Sequence, residues 1–366
     1  MSHVWLPCGL YHQEYTQDHG WWQTPLIKGK MIFLLAIIFI IFPLTLTGYW
    51  FGVASMVGYT ALGALGVQIL IGYAGLITLG HAAFIAVGAY TSTLLILQFP
   101  WPIFFIDSGL AYPISIIIAG IIAGLWSVLF GLPSVKVKGF YLILTTMAAQ
   151  FITVDFILTQ YISQIGGRGQ AFSLPPGTIK IGPWTIDSEI KTYFLMAILL
   201  TLCVVIVANL LRSKVGRAWT AIRDNDIAAE TLGINIIWYK LLNFFVAGFI
   251  AGLAGAFWVS NTAALSPEHF PWFWSLWLVG VILIGGVGSI HGVIFGSIFM
   301  VLVMELIQLG VISLSDVFPA LMIKFLYIKE SVFGLIICAF LIFQPRGLSY
   351  RWWQIKNYFN LWPFSY

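Results

Sequence analysis

Long apolar stretches divide this sequence, and they constrain its fold more than any other feature. A helix needs about 17–25 apolar residues to cross a bilayer. Only 8% of the 366 residues are charged, whereas soluble domains carry about 25%. Within lipid each segment must satisfy its own backbone hydrogen bonds, so these stretches are predicted to be helices. The ten candidate spans are 31–50, 52–71, 76–98, 110–132, 140–158, 193–211, 240–260, 273–290, 292–309 and 331–344.

The predicted fold is therefore an all-α, polytopic transmembrane helical bundle with about ten spans, several of them broken by glycine. Residues 31–344 form its membrane domain, 1–30 an N-terminal segment and 345–366 a C-terminal tail. The first 30 residues contain no cleavage site after an apolar run, so no removable signal peptide is expected. Two loops are long, at 159–192 and 212–239.

The distribution of Lys and Arg predicts the orientation, because cytoplasmic loops are enriched in these residues. With the N-terminus inside, twelve of the 17 basic residues fall in cytoplasmic segments. The other five are Arg168, Lys180, Lys191, Lys324 and Lys329. The prediction is a multi-pass protein of the cell inner (plasma) membrane. Both termini are cytoplasmic, loop 159–192 is external and loop 212–239 is cytoplasmic.

Glycine-rich segments are the places where helices are expected to break. Residues 72–93 contain Gly72, Gly75, Gly80 and Gly88 beside the ionisable His81. Broken helices near the membrane midplane commonly line transport paths. Close packing of a glycine-rich helix pair around a hydrogen-bonded structural histidine is the more ordinary interpretation, and direct substrate contact by His81 is the other. The stretch 283–297 repeats the pattern and predicts either a tight cytoplasmic hairpin or a break that lines a cavity.

The cytoplasmic loop 212–239 has the apolar spacing of a helix, in the residues Ala218, Ala221, Ile222, Ala228, Ala229 and Leu232. Asp226 is predicted to cap a second short helix that ends at Gly233. This amphipathic segment either lies on the membrane surface or docks into a cytoplasmic partner. Asp155 and Glu305 fall near span ends, where an interfacial position is expected.

Several functions are excluded by what the sequence lacks. It has no glycine-rich phosphate loop of the Walker type, so the chain itself is not expected to hydrolyse nucleotide. Its three cysteines are far apart and do not have zinc-site spacing, and no basic segment suits nucleic acid. We expect no catalytic residue, no bound metal and no cofactor. His81 and His291 alone do not make a membrane-embedded enzyme.

Four segments resemble one known family. GYAGLITLGHAAFIAVGAYTSTLL, beginning at residue 72, and VGRAWTAIRDNDIAAETLGINIIWYKLLNFFVAGFIAGLAGAFW, beginning at 215, are similar to LivM-type permeases of branched-chain amino acid ABC importers. So are SPEHF with LIGGVGSIHGVIFG, and FQPRGL at 343–348. The four occur in the family's order and span roughly residues 50–350.

The resemblance implies a role for each segment. The residues coupled to the ATPase subunits would be Gly216, Arg217, Arg223, Asp224, Asp226, Glu230 and Gly233. The translocation path would be lined by Gly72, Gly75, Gly80, His81, Gly88, Gly285, Gly286 and Gly288. The implied partners are a second, LivH-type permease, two cytoplasmic ATP-binding subunits that use the ATP, and a periplasmic solute-binding protein.

Some residues depart from the family's pattern. His291 stands where a tryptophan is frequent, and Arg168 and Gln170 alter the outer loop. Urea and amide importers use similar permeases, so that cargo stays open. A stand-alone secondary transporter or channel is disfavoured, because the deep parts of the spans nearly lack charges.

Overall fold

The computed structural model of the chain describes residues 25–45, 47–135, 139–162, 172–174, 179–262, 264–315 and 324–361. Most of the predicted N-terminal segment 1–30 lies outside these residues. So do Arg168 and Gln170 of the predicted external loop, and the last five residues of the tail.

Helices make up most of the described chain. They are α1 (Pro25–Ala36, continued by Ile37–Ile41 and Phe42–Thr45), α2 (Gly48–Tyr73), α3 (His81–Leu97), α4 (Ile103–Asp107), α5 (Ala111–Gly131), α6 (Phe140–Gln150, continued by Phe151–Ile162), α7 (Glu189–Arg212), α8 (Lys214–Asp224), α9 (Asp226–Thr231), α10 (Ile236–Thr262), α11 (Trp272–Gly285), α12 (Ile290–Ser315), α13 (Phe325–Phe343) and α14 (Gly347–Leu361). Short 3₁₀ turns follow α5 and precede α11.

The number of apolar helices agrees with the predicted bundle. In the described residues, 8 helices are long and apolar enough to cross a membrane. The pair α13 and α14, bent by 44°, raises this number to 9 if it counts as one span. The apolar α3 is shorter, with 17 residues. Each of the ten predicted stretches overlaps a helix, so the all-α polytopic helical bundle is confirmed, with 8 or 9 candidate spans among the described residues.

The ends of several spans differ from the prediction. α1 ends at Thr45 and α2 already begins at Gly48, although one span was expected to continue to residue 50. The segment 76–80 was expected to be helical, but α3 begins only at His81. Gly75 has a φ of +68°, a left-handed conformation that a right-handed helix does not contain. α10 begins at Ile236, inside the predicted loop 212–239.

α10 is the central helix, and it packs against α2, α3 and α5. Small residues stand where these helices cross. A Cβ atom on Gly88 of α3 would overlap the backbone of Gly252 on α10, and a Cβ on Gly255 would overlap the carbonyl of Ile85. Such contacts hold helices together in lipid by close van der Waals approach. Gly88 therefore lies at a close contact between two helices, inside α3, and its predicted place on the translocation path stays a prediction.

The connections divide between the two ends of the bundle. α10 has 27 residues and is about 40 Å long. α8 and α9 precede its first residue, and β4 (Ala264–Leu265) follows its last. β4 pairs antiparallel with β1 (Phe172–Ser173), and β2 (Lys180–Ile181) pairs with β3 (Trp184–Thr185). We call the end with α8 and α9 the inner end and the end with the strands the outer end, following the predicted orientation.

Candidate functional site

The break between α2 and α3 lies at the inner end, and side chains of other helices stabilise it. α2 finishes as a π-helical turn, Gln68–Tyr73, and the backbone amide of Leu76 then donates to Leu70 O at 2.9 Å. The amide of Leu79 donates to Thr146 Oγ1 at 3.1 Å, and that of Ala82 to Ser275 Oγ at 2.9 Å. A non-helical backbone is tolerated at membrane depth when protein groups satisfy it in this way.

Gln68 joins this break to the turn between α11 and α12. Its side chain is fully buried, and Nε2 donates to Gly286 O at 3.3 Å and to Ser289 O at 3.1 Å. The turn it holds is the tight hairpin that was one of the two interpretations of segment 283–297. Only glycine fits at position 285, because a Cβ atom there would overlap the carbonyl oxygen of Gly292 on α12.

Arg223 joins α8 to the same place. Its guanidinium Nη1 donates to the carbonyl oxygen of Gly72. Gly288 has a φ of +86°, and a Cβ added there would lie 3.2 Å from that Nη1. A Cβ on Gly75 would also lie 3.2 Å from Arg223 Cγ. Glycine at these two positions provides both the backbone conformation and the room for the arginine.

The C-terminal FQPRGL segment completes the cluster. A Cβ on Gly347 would lie 2.6 Å from the Cα of Gly286, and the amide of Gly347 donates to Gln344 O at 2.9 Å. The segments that carry the resemblance, far apart in sequence, thus meet at one point of the inner end. We call this point the four-segment junction and define it by Gln68, Gly72, Gly75, Arg223, Gly286, Gly288 and Gly347.

α8 and α9 are amphipathic and are fixed by caps. Ser213 Oγ accepts a hydrogen bond from the amide of Val215 at 3.2 Å. On the buried face, Trp219 is fully buried and its Nε1 donates to Tyr239 O at 2.8 Å. Gly216 lies against the backbone of Leu211, which leaves no room for a side chain. α8 therefore packs against the bundle through one face.

The N-cap of α9 is Asn225, which corrects the prediction that Asp226 caps this helix. Asn225 Oδ1, not Asp226, accepts from the amide of Ala228, at 3.1 Å. Both residue types are good caps, so the sequence alone does not choose between neighbours. At the other end Gly233, with a φ of +83°, follows the helix, and the amide of Ile234 donates to Ala229 O at 3.0 Å. This is the expected stop at Gly233, in a Schellman motif.

The outward face of α8 and α9 carries charges and exposed apolar groups. Arg217, Asp224 and Glu230 are exposed, while Asp226 is half-buried. Leu232, which was expected on the apolar face, is instead 80% exposed, and Ile227 is 69% exposed. Apolar side chains exposed at the end of a membrane protein, among charges, are typical of a protein-binding surface.

His81 lies at the first residue of α3 and packs in the core. It is fully buried, with Gly66 against its ring and the ring of Phe84 at 6.0 Å between centroids. A Cβ on Gly80 would overlap the carbonyl of Thr146. These contacts agree with close packing of this segment, but neither ring nitrogen of His81 has a hydrogen-bond partner among the described residues, contrary to the hydrogen-bonded histidine of that interpretation. Direct substrate contact by His81 stays a prediction. The path residues remain predictions, and of them Gly75 lines a cavity of about 330 Å³ at the inner end.

Several buried polar residues were missed at the sequence level. Besides Gln68, these are Asn243, whose Nδ2 donates to Ile69 O at 3.1 Å, and Gln150, whose Nε2 donates to Phe270 O at 2.9 Å. The sequence does contain a signal for these residues, because each is a single amide within an apolar stretch. A polar group buried there must find a hydrogen-bond partner. Glu305, expected at an interface, accepts a hydrogen bond from the hydroxyl of Tyr49. Asp155 is exposed.

In the described part of the chain no three His, Cys, Asp or Glu side chains are grouped closely enough to hold a metal ion. The chain is a multi-pass helical membrane protein. The break after α2 and the turn before α12 both contact Arg223 of the peripheral helix α8. That arrangement agrees with the membrane transport permease that the sequence predicts.

The model of one protein family, described as "Branched-chain amino acid transport system / permease component", matches residues 49–327. The match covers more than half of the chain, so the chain belongs to this family of transport permeases, which are not enzymes. The predicted resemblance to LivM-type permeases is thereby confirmed.

Individual relatives agree with the family. The chain is 27% identical over 304 residues to the high-affinity branched-chain amino acid transport system permease protein LivM of Salmonella typhimurium. The aligned region covers 77% of this chain and 69% of that protein. It is 30% identical over 271 residues to LivM of Escherichia coli, covering 68% and 61%. A probable LivM of Methanocaldococcus jannaschii is 26% identical over 330 residues, covering 82% and 91%. The chain therefore spans less than two thirds of the Escherichia coli relative. No solved structure matches the chain.

Proposed function

We propose that this chain forms the translocation pathway of an ATP-binding cassette importer for branched-chain or related amino acids. Family membership and the names of the relatives support this cargo class. The observation that carries the mechanism is the hydrogen bond from Arg223 to Gly72, which joins the peripheral helices to a helix break. The proposal includes ATP hydrolysis on separate subunits, because the sequence contains no Walker-type phosphate loop, and it includes no cofactor bound by this chain.

The outward face of α8 and α9 is the docking surface for a cytoplasmic ATP-binding subunit. Ile227 and Leu232 supply exposed apolar contacts, and Arg217, Asp224 and Glu230 supply polar ones. Two such subunits, a second LivH-type permease and a periplasmic solute-binding protein complete the importer. This assembly places the chain in the inner membrane with both described ends on the cytoplasmic side.

The junction converts movement of α8 into movement of the pathway. An effector shifts a conformational equilibrium only through interactions that differ between the two states. Closure of the ATPases moves α8, and Arg223 moves with it. Because Arg223 is bonded to Gly72 and lies beside Gly288, the break after α2 and the turn before α12 change together. Gln68 joins these two elements directly, so they respond as one unit.

Reconstitution tests this function. The chain is placed in vesicles with the second permease and the ATPases encoded by adjacent reading frames, together with the receptor protein. ATP-dependent uptake of L-leucine is expected. Uptake of urea or short amides in place of leucine would assign the alternative cargo class. Leucine uptake driven by a sodium gradient without the ATPases would overturn the importer in favour of a secondary transporter.

The docking surface is tested separately. Leu232→Asp is expected to lower ATP-driven uptake at least tenfold and to weaken co-purification of the ATPase. The control is Ile103→Asp, because Ile103 is also exposed, at 76%, but lies at the outer end. Equal loss of uptake in both variants would contradict docking at α9.

A further inference from the structure

A long apolar groove runs along one exposed side of α12 and ends at α14. Six side chains of α12, from Phe295 to Leu306, form its wall, and they recur every three or four residues, so they share one face of the helix. Leu348, Trp352 and Ile355 of α14 form its inner end. The groove measures about 520 Å³, and it is open, since Leu306 is 65% exposed and Ile355 50%. The described chain therefore leaves a large apolar surface of a membrane-length helix uncovered.

The length of the groove matches half of a bilayer. From Phe295 to Leu306 the axis of α12 rises about 16 Å. The hydrocarbon layer of a membrane is about 30 Å thick, so one leaflet is about 15 Å thick. α12 begins at Ile290 at the inner end. The groove therefore spans the depth at which acyl chains of the inner leaflet lie.

α14, at the inner end of the groove, has the pattern of a helix that contacts a membrane surface. Its apolar stripe consists of Leu348, Trp352, Ile355 and Phe359. Arg351 and Lys356 are exposed and flank that stripe, each about 70° from its centre at 3.6 residues per turn. Basic side chains beside an apolar stripe cover it with their stems and extend their charges to lipid headgroups. The groove thus ends between two cations.

Neutral groups hold Arg351 in place. Its Nε donates to Gln344 Oε1 at 2.9 Å, and its Nη1 donates to Gln354 Oε1 at 3.3 Å. Both acceptors are uncharged amides, so they orient the guanidinium without neutralising it. A guanidinium has five N–H donors and binds phosphate oxygens well. The sequence contains no Asp or Glu after Glu330, so α14 has no acidic side chain of its own to balance Arg351 and Lys356.

We propose that this groove binds an anionic phospholipid of the inner leaflet. The phosphate accepts hydrogen bonds from Arg351 and pairs with Lys356, and one acyl chain lies along α12. An apolar stripe one leaflet long that ends at two cations has the chemistry of such a lipid, in the order of tail and headgroup. The bound lipid joins α14 to α12 and supports the contact of Gly347 with Gly286 in the four-segment junction. The binding does not depend on which solute the protein transports.

Native mass spectrometry of the full-length chain in detergent tests the headgroup. Dioleoyl phosphatidylglycerol is expected to bind at least fivefold more tightly than dioleoyl phosphatidylcholine, which has the same tails but no net charge. Arg351→Ala combined with Lys356→Ala is expected to abolish this preference. The matched control combines Lys30→Ala with Lys214→Ala, which removes two exposed cations of the inner end outside the groove and should retain the preference. Equal affinity for the two lipids in the wild type, or equal loss in both double variants, would overturn the site.

A phosphatidylglycerol with a photoreactive diazirine in its acyl chain locates the tail. Crosslinks are expected on α12 between Phe295 and Leu306. Leu302→Trp fills the groove at a position that is 38% exposed, and it should reduce these crosslinks at least threefold. The control is Ile121→Trp on α5, because Ile121 is 41% exposed and lies outside the groove. Crosslinks elsewhere, or unchanged crosslinks in Leu302→Trp, would contradict a tail in this groove.

The same labelling on the chain assembled with the second permease distinguishes a lipid from a protein contact. Crosslinks that persist after assembly are the expected result. Their loss on assembly, with the same residues of α12 then crosslinked to the second permease, would assign this face to a protein interface and overturn the lipid site. Failure of the assembled importer to take up leucine would remove the proposed function, but it would leave the lipid preference of the isolated chain unchanged.

Discussion

The guanidinium of Arg223 donates a hydrogen bond to the main-chain carbonyl of Gly72, a residue that precedes it by 151 positions. One partner lies on a peripheral amphipathic helix and the other at the end of a buried, membrane-length helix. The acceptor is a backbone atom in the turn where α2 ends. Movement of the arginine therefore displaces the backbone of α2 rather than a side chain. A side-chain acceptor could change rotamer without moving the helix.

Arg223→Ala is expected to uncouple ATP hydrolysis from transport. The variant loses a charge-assisted hydrogen bond, which contributes about 1.5–3 kcal/mol, less at an exposed position such as this one. Leucine uptake should fall at least fivefold while ATP hydrolysis by the assembled transporter is retained. Lys30→Ala is the control, since it removes an exposed cation of α1 at the same end and should leave both rates unchanged. Full uptake by Arg223→Ala would show that this bond does not transmit the movement.

Gly288→Ala is expected to destabilise the chain, whereas Gly310→Ala is not. Gly288 has a φ of +86°, where a Cβ costs about 1–2 kcal/mol, and the added atom would also crowd Arg223. Gly310 lies inside α12, and nothing lies within 4 Å of an added Cβ. Alanine there should leave stability unchanged or raise it slightly. Thermal unfolding of the two purified variants in detergent measures the difference. An unfolding temperature of Gly288→Ala equal to that of the wild type would show that alanine is not strained at this position.

Gln68→Leu is expected to loosen the contact between α2 and the α11–α12 turn. The two carbonyls that Gln68 satisfies, Gly286 O and Ser289 O, lose a buried donor, at a cost of about 1–3 kcal/mol. Proteolysis in the turn should become faster and the unfolding temperature lower. Gln98→Leu provides the comparison, because Gln98 is exposed at the end of α3. If both variants unfold at the wild-type temperature, the amide of Gln68 does not hold this turn.

The sequence predicts the bundle well because the length of an apolar run is a local property. Each expected span overlaps a helix, although several ends differ, and the stop of α9 at Gly233 followed from glycine's tolerance of positive φ. The role of Gly88 could not be predicted, because it depends on Gly252 of a distant helix. The exposure of Leu232 depends in the same way on which face α9 turns to the bundle. The junction required knowledge of packing between segments that are remote in sequence.

Orientation is the remaining prediction on which docking depends, and cysteine labelling tests it. In a background without Cys8, Cys203 and Cys338, single cysteines replace Lys214 at the inner end or Trp184 at the outer end, both exposed. An impermeant thiol reagent applied to intact spheroplasts should label Trp184→Cys and leave Lys214→Cys unlabelled. Disruption of the membrane should make both reactive, which controls for access.

The reverse pattern would have a direct physical consequence. α8 and α9 precede α10, which at about 40 Å crosses the whole hydrocarbon layer, so Lys214 and the strand β4 lie on opposite sides of the membrane. Labelling of Lys214→Cys on intact spheroplasts would place the exposed Ile227 and Leu232 outside, where no ATP-binding subunit reaches them. ATP hydrolysis in the cytoplasm would then have no contact through which to move Arg223.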